Sequence, residues 1–131
     1  MTVQPQPMIA VHDVEKSSAW YCAVLGATSG HGGPEYEQLL VGDAMILQLH
    51  KLELGHHHGT IGDPTLPVGN GVALWFEVEP LEAERIKATG ATVQTDLHHN
   101  PNAGHHELWL RDPDGYLVVL ASRSGEDLSV E

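Results

Sequence analysis

The chain has 131 residues, which suits one domain of about 100–150 residues, and its hydrophobic content of 41% is too high for a disordered chain. Its net charge of −12, from 6 basic and 18 acidic residues, argues against a nucleic acid or an anionic membrane as partner, because both attract basic surfaces. No apolar run approaches the roughly 18–20 residues of a membrane span, and the first residues lack the pattern of a signal peptide. The single cysteine, Cys22, excludes an internal disulfide. We therefore expect a cytoplasmic domain without nucleic-acid or membrane partners.

The first half of the chain predicts a strand, a helix and then further strands. Asp13 is the expected N-cap of the helix, and Gly26 stands where such a helix ends. Gly42 and Asp43 separate two apolar runs and predict a short hairpin turn. The predicted elements are a strand over residues 8–11, a helix over 14–25, a short strand near Thr28, and strands over 36–41 and 44–50.

The same order of elements returns in the second half, so the sequence indicates a weak internal repeat. Residues 112–115, Asp-Pro-Asp-Gly, predict a tight turn between its last two strands. The predicted elements are a strand over residues 72–78, a helix over 81–89, a short strand near Val93, and strands over 106–111 and 116–121. The glycine, proline and histidine content predicts a linker or pocket rim over about residues 55–70, a rim loop over 98–106, and a polar tail over 123–131.

Two motifs resemble those of the vicinal oxygen chelate superfamily, which includes glyoxalase I, extradiol dioxygenases and bleomycin-resistance proteins. They are Val-His-Asp-Val-Glu-Lys-Ser at residues 11–17, running into Trp20, and Leu-Arg-Asp-Pro-Asp-Gly-Tyr at residues 110–116. The resemblance implies a single α+β domain in which two βαβββ units form one cupped, mixed sheet with the helices outside. The implied units cover about residues 6–54 and 71–122, and the resemblance also implies a homodimer.

Metal-using members of this superfamily take histidine, glutamate or glutamine ligands from four strand positions. The resemblance carries these positions to Gln6, Gln48, Ala73 (or Val72) and Val119. Alanine and valine cannot bind a metal, and a catalytic divalent ion needs about three protein ligands. We therefore expect no cofactor at the family positions, which argues against glyoxalase I or dioxygenase activity of the usual kind.

Strand alternation predicts a group of side chains that would line the pocket. Indole rings stack on planar molecules and attract cations, while carboxylates attract amines. Core packing would explain Trp75 and Trp109 equally well, and exposure at a sheet edge would explain Glu77 and Glu107. Since His105 and His106 are consecutive on a strand, at most one of them can face the pocket. The predicted ligand-binding residues are Gln48, His50, Trp75, Glu77, His105, Glu107 and Trp109.

These residues leave three functions open. The first is a binding protein of the bleomycin-resistance type, which sequesters an aromatic or cationic compound such as an antibiotic. The second is a lyase, isomerase or dioxygenase with a divalent metal at a rearranged site, for which His50, His105 and Glu107 are the alternative ligands. The third is a metal-free acid–base enzyme, in which Glu107 is the candidate catalytic residue together with His50 or His105.

Overall fold

A computed structural model describes residues 1–57 and 59–125. His58 and most of the predicted polar tail, residues 126–131, lie outside the described residues. The chain divides into two compact units, residues 1–68 and 69–131, which we call unit 1 and unit 2. Among the described residues, no helix is long and apolar enough to cross a membrane.

Unit 1 contains the predicted succession of one strand, one helix and three strands. Its sheet has the order β1-β4-β3-β2, in which β1 and β4 are parallel and the other neighbours are antiparallel. The elements are β1 (Met8–Val11), α1 (Val14–Leu25), β2 (Thr28–Ser29), β3 (Tyr36–Val41) and β4 (Ala44–Lys51).

Helix α1 has the bounds and the caps that the sequence predicts. The Asp13 side chain accepts a hydrogen bond from the Lys16 backbone N–H at 3.0 Å. Gly26 adopts the left-handed conformation with φ of 68°, and its N–H donates to the Cys22 carbonyl. Glycine pays no Cβ penalty in this conformation, so the helix ends there. The buried residues Tyr21 and Val24 lie on its apolar face.

A small hairpin occupies the region that was predicted as a linker. Strands β5 (Glu53–His56) and β6 (Gly59–Ile61) pair antiparallel as a separate two-stranded sheet. Gly55 and Gly59 have φ of 74° and 110°, so they permit the backbone reversal that short strands need. The run of histidines and glycines has no alternation of apolar and polar residues, which explains why no strand is predicted here.

Unit 2 repeats the βαβββ succession, which confirms the predicted α+β fold. Its sheet has the order β7-β10-β9-β8, with β7 and β10 parallel and the other neighbours antiparallel. The elements are β7 (Ala73–Glu77), α2 (Ala83–Ala88), β8 (Thr92–Asn100), β9 (His105–Arg111) and β10 (Leu117–Ala121).

Strand β8 is longer than predicted, so the predicted rim loop over residues 98–106 is confirmed for residues 101–104 and wrong for the rest. His98, His99 and Asn100 continue the strand, because they pair with the first residues of β9. Only residues 101–104 form the turn, which the Gly104 N–H closes by donating to the Asn100 carbonyl at 2.9 Å. Composition indicated a loop, but backbone pairing with β9 stabilises a strand despite it.

Each sheet has one core face and one face that carries most of its polar side chains. Leucines at 0% exposure form the core face, among them Leu47 and Leu49 in unit 1 and Leu108 and Leu110 in unit 2. We call the opposite face the polar face, since alternate residues of a strand lie on opposite sides of its sheet. The polar face of unit 1 carries Tyr36, Gln38, Gln48 and His50, and that of unit 2 carries Trp75, Glu77, His105, Glu107, Trp109, Val119 and Ala121.

Candidate functional site

The polar face of unit 2 is built from rows of side chains that cross the sheet. In one row, Trp75 of β7 and Trp109 of β9 flank Val119 of the central strand β10. In the next row, Ala121 lies between Glu77 and Glu107. The register therefore places the two tryptophans, two glutamates and His105 of the sequence prediction on one face of one sheet.

Glu107 is the centre of a hydrogen-bond cluster on this face, and it is only 1% exposed. Its Oε1 accepts from Trp109 Nε1 at 2.9 Å. Its Oε2 accepts from Asn100 Nδ2 at 2.8 Å and from His105 Nε2 at 2.6 Å. His98 Nε2 lies 3.7 Å from Oε1. Both carboxylate oxygens are thus engaged by neighbouring side chains.

The surroundings of Glu107 favour its ionised form. Burial alone would raise the pKa of this carboxyl, because it removes water from the charge. The hydrogen bonds from Asn100, Trp109 and His105 outweigh burial and hold the pKa of Glu107 below its ordinary value. Glu107 is therefore a buried carboxylate at neutral pH, and it orders the side chains around it.

Trp75 presents the accessible aromatic surface of this cluster. The residue is 50% exposed, which is far more than a tryptophan in a core would be. Its ring centroid lies 5.8 Å from that of His105, whose side chain is 14% exposed. Trp109 is half-buried and is held through its N–H by Glu107. Glu77 is exposed at the end of β7.

A cleft of about 320 Å³ lies at the other end of the same face, beside the end of the segment predicted as a linker or pocket rim. Gly69 at its rim has φ of 80°, and a Cβ there would lie 2.9 Å from the Tyr116 ring. Arg111 lines the cleft and donates to Gln94 Oε1 and to the Gly115 carbonyl. The cleft is lined by Gly69, Asn70, Gly71, Val72, Ala73, Arg111 and Leu117.

On the polar face of unit 1, Gln48 and His50 are engaged within their own unit. Gln48 Oε1 accepts from the Tyr36 hydroxyl, and Gln48 Nε2 donates to the Gln6 carbonyl at 2.9 Å. His50 is 8% exposed, and its Nδ1 donates to the Lys51 carbonyl at 2.8 Å. These bonds give both residues a structural part in unit 1.

Comparison with known proteins assigns the chain to a family. A model of the Glyoxalase/Bleomycin resistance protein/Dioxygenase superfamily matches residues 4–120. The chain belongs to this superfamily. The resemblance inferred from the two sequence motifs is therefore confirmed, and both motifs lie within the matched residues.

Individual relatives in this superfamily are distant in sequence. A probable lactoylglutathione lyase of Synechocystis sp. is 27% identical, over 91% of this chain and 94% of its own length. The crystal structure of a glyoxalase/bleomycin resistance protein/dioxygenase from Nocardioides has a TM-score of 0.72 at 19% identity, with 98% of this chain and 93% of that chain covered. A lactoylglutathione lyase structure from Agrobacterium tumefaciens has a TM-score of 0.69 at 19% identity, covering 95% and 96%. The two structures support the fold alone.

The superfamily often uses a divalent metal, and two of the four positions to which the resemblance carries its ligands hold side chains that cannot bind one. Val119 and Ala73 have aliphatic side chains, and both lie in unit 2. The amide of Gln48 is engaged at both ends. Within residues 1–57 and 59–125, no group of three or more His, Cys, Asp or Glu side chains is arranged to hold a metal ion. The alternative set of His50, His105 and Glu107 stays a prediction.

Two partners of Glu107, His98 and Asn100, were not recognised from the sequence. Both lie in the segment that composition assigned to a loop. The pairing register of β8 with β9 would have identified them, because a strand that continues to Asn100 brings His98 directly opposite Glu107. His106, by contrast, lies away from this cluster and its ring contacts His99, as the alternation of consecutive histidines predicts.

Proposed function

We propose that this protein binds a planar aromatic small molecule on the polar face of unit 2, including molecules that carry an amine. The observation that carries the proposal is the half-exposed Trp75 beside the ordered cluster of His105 and Glu107. An exposed indole next to polar groups of fixed orientation is typical of sites for small ligands. Sequestration of an antibiotic or a similar compound would be one use of such a site.

The donor chemistry favours binding over the metal-dependent reactions known in the superfamily. Two of the four family positions hold aliphatic side chains, and a third, Gln48, is engaged in hydrogen bonds. The name of the Synechocystis relative indicates a lyase, but at 27% identity that activity is not transferred to this chain. We therefore propose that the protein binds a small ligand, as superfamily members do, without a metal-dependent reaction.

Charge supports the inclusion of amines among the ligands. The chain carries a net charge of −12, so its field attracts cations and raises their local concentration. Glu77 is exposed on the same face as Trp75 and adds a local carboxylate. A protonated amine over an indole face gains roughly 0.5–2 kcal/mol from the cation–π interaction.

Isothermal titration calorimetry with a panel of aromatic amines and amine-bearing antibiotics, with and without EDTA, tests this proposal. We expect dissociation constants of about a micromolar for at least one compound, unchanged by the chelator. Trp75→Ala should weaken that binding about tenfold or more, because it removes the stacking surface. Trp20→Ala, which removes an indole from helix α1, is the matched control. Equal affinities of wild type and Trp75→Ala would contradict the proposal.

We also propose that the protein forms a homodimer, as the family resemblance implies. Size-exclusion chromatography with light scattering should give twice the chain mass of 14.2 kDa. A mass of one chain at micromolar concentration would contradict this.

A further inference from the structure

We propose that His105 accepts a proton from the bound ligand and that Glu107 is the positioning residue that prepares it to do so. The inference rests on the proposed binding function and narrows the ligand class to aromatic molecules with an acidic O–H or N–H group, such as phenols and enols. The two residues have different roles. His105 contacts the ligand, whereas Glu107 acts through His105.

The hydrogen bond between the two residues determines which nitrogen of His105 can accept the proton. Nε2 lies 2.6 Å from Glu107 Oε2 and donates its hydrogen to that carboxylate. In the neutral imidazole ring only one nitrogen carries hydrogen, so Nδ1 then holds the lone pair. The ring is 14% exposed, and Nδ1 is the atom that remains for a ligand.

The carboxylate is in turn held in place by its other partners. Asn100 Nδ2 and Trp109 Nε1 donate to it at 2.8 and 2.9 Å, so its two oxygens cannot turn away from His105. A buried carboxylate that is fixed in this way orients an imidazole and stabilises the imidazolium when it forms. His98 from β8 is the further titratable group facing Glu107, at 3.7 Å.

The position of Trp75 explains why an aromatic acid is the suitable ligand. Its ring lies 5.8 Å from the His105 ring and is half exposed. A planar ligand stacked on the indole would lie beside the imidazole edge, where an O–H on its ring can meet Nδ1. An amine of the same ligand would remain near the exposed Glu77.

The proton transfer is balanced without any further reactant. The ligand O–H bond breaks and an N–H bond forms at His105 Nδ1, while the electron pair of the broken bond stays on the ligand oxygen. The ligand becomes an anion beside an imidazolium, which is paired with the Glu107 carboxylate. The total charge of ligand, His105 and Glu107 does not change.

The test uses para-nitrophenol and its methyl ether, para-nitroanisole, at a pH equal to the pKa of free para-nitrophenol, which lies above the ordinary pKa of a histidine side chain, about 6.5. The two probes share the aromatic surface, but only the phenol has a proton to give, and its anion absorbs visible light. We expect wild-type protein to raise the phenolate band above that of the free phenol and to bind the phenol about tenfold or more tightly than the ether. His105→Gln, which can still donate to Glu107, should abolish this increase and the preference.

Two further variants separate the assigned roles from general damage. Glu107→Gln should lose the increase in the phenolate band while it keeps its affinity for para-nitroanisole, which a merely structural role would not produce. His99→Gln, on the opposite face of β8, should behave as wild type. Equal binding of phenol and ether without an increase in the phenolate band would overturn the proton transfer and leave the binding function intact. Failure of both probes to bind at millimolar concentration would count against the binding function itself.

Discussion

Glu37 and Glu107 lie on equivalent strands of the two units, the third in each sheet order, but on opposite faces of those sheets. Glu37 is on the core face and is 3% exposed. Its Oε2 accepts from the Ser18 hydroxyl of helix α1 at 3.0 Å. Glu107 is on the polar face and is 1% exposed. The repeat therefore contains two buried carboxylates with different surroundings.

The donors to these carboxylates explain the difference in role. Three of the donors to Glu37 are backbone N–H groups, two in the loop before β3 and one in β3 itself, so they cannot turn away without a change in the backbone. The donors to Glu107 are side chains, which carry chemistry of their own. A carboxylate held by backbone thus belongs to the framework, and one held by side chains organises a site. The described donors to Glu37 are Ser18, Ser29, His31, Gly32 and Gln38.

The largest effect on stability is expected from Glu37→Ala. It leaves backbone and hydroxyl donors buried without an acceptor, so we expect a loss of about 3–5 kcal/mol in the free energy of unfolding. Glu107→Ala should cost less, about 1–2 kcal/mol, because the side chains of Asn100 and His105 can turn toward water. Urea unfolding followed by circular dichroism measures both. Glu35→Ala, at an exposed position nearby, is the control. Equal losses of stability for Glu37→Ala and Glu107→Ala would contradict the different roles of the two carboxylates.

Acid should reveal the framework role of Glu37 in a second way. Burial raises the pKa of Glu37, but the hydrogen bonds from Ser29 and from the backbone of Gly32, His31 and Gln38 lower it from 4.5 to about 2. Because the folded pKa is depressed, this stabilisation is fully present above pH 4.5 and is lost as the pH falls toward 2. Glu37→Gln should therefore lose less stability than wild type between pH 5 and 2.

Urea midpoints at several pH values across that range check this expectation. Glu37→Gln keeps the size of the side chain and removes only its charge, so the comparison isolates ionisation. Glu107→Gln should also flatten the profile, since the pKa of Glu107 is lowered too. Parallel profiles for wild type and Glu37→Gln would show that the depressed pKa of Glu37 does not contribute to acid stability.

The sequence predicted framework features better than it predicted the site, and Asp13 and Asn100 show why. The Asp13 cap and the Gly26 stop are local, because each acts within a few residues, and helix α1 has the predicted bounds. The cluster around Glu107 depends on the register between β8 and β9, which is set by pairing over the whole hairpin. The asparagine and histidines at the end of β8 have a composition typical of loops, so their part in the cluster was hidden.

The smallest predicted effect compares the two helices of the repeat. Asp13 caps α1 through a hydrogen bond to the Lys16 N–H, whereas Glu82 at the start of α2 makes no side-chain cap bond. Asp13→Ala should therefore lower the free energy of unfolding by about 1 kcal/mol. Glu82→Ala should stay within about 0.5 kcal/mol, since it loses only an exposed ion pair with Arg85. If Glu82→Ala lowered the free energy of unfolding as much as Asp13→Ala, the two helix N-termini would contribute equally to stability. The expected difference would show that helix capping stabilises unit 1 more than unit 2, whose stability then depends more on strand pairing.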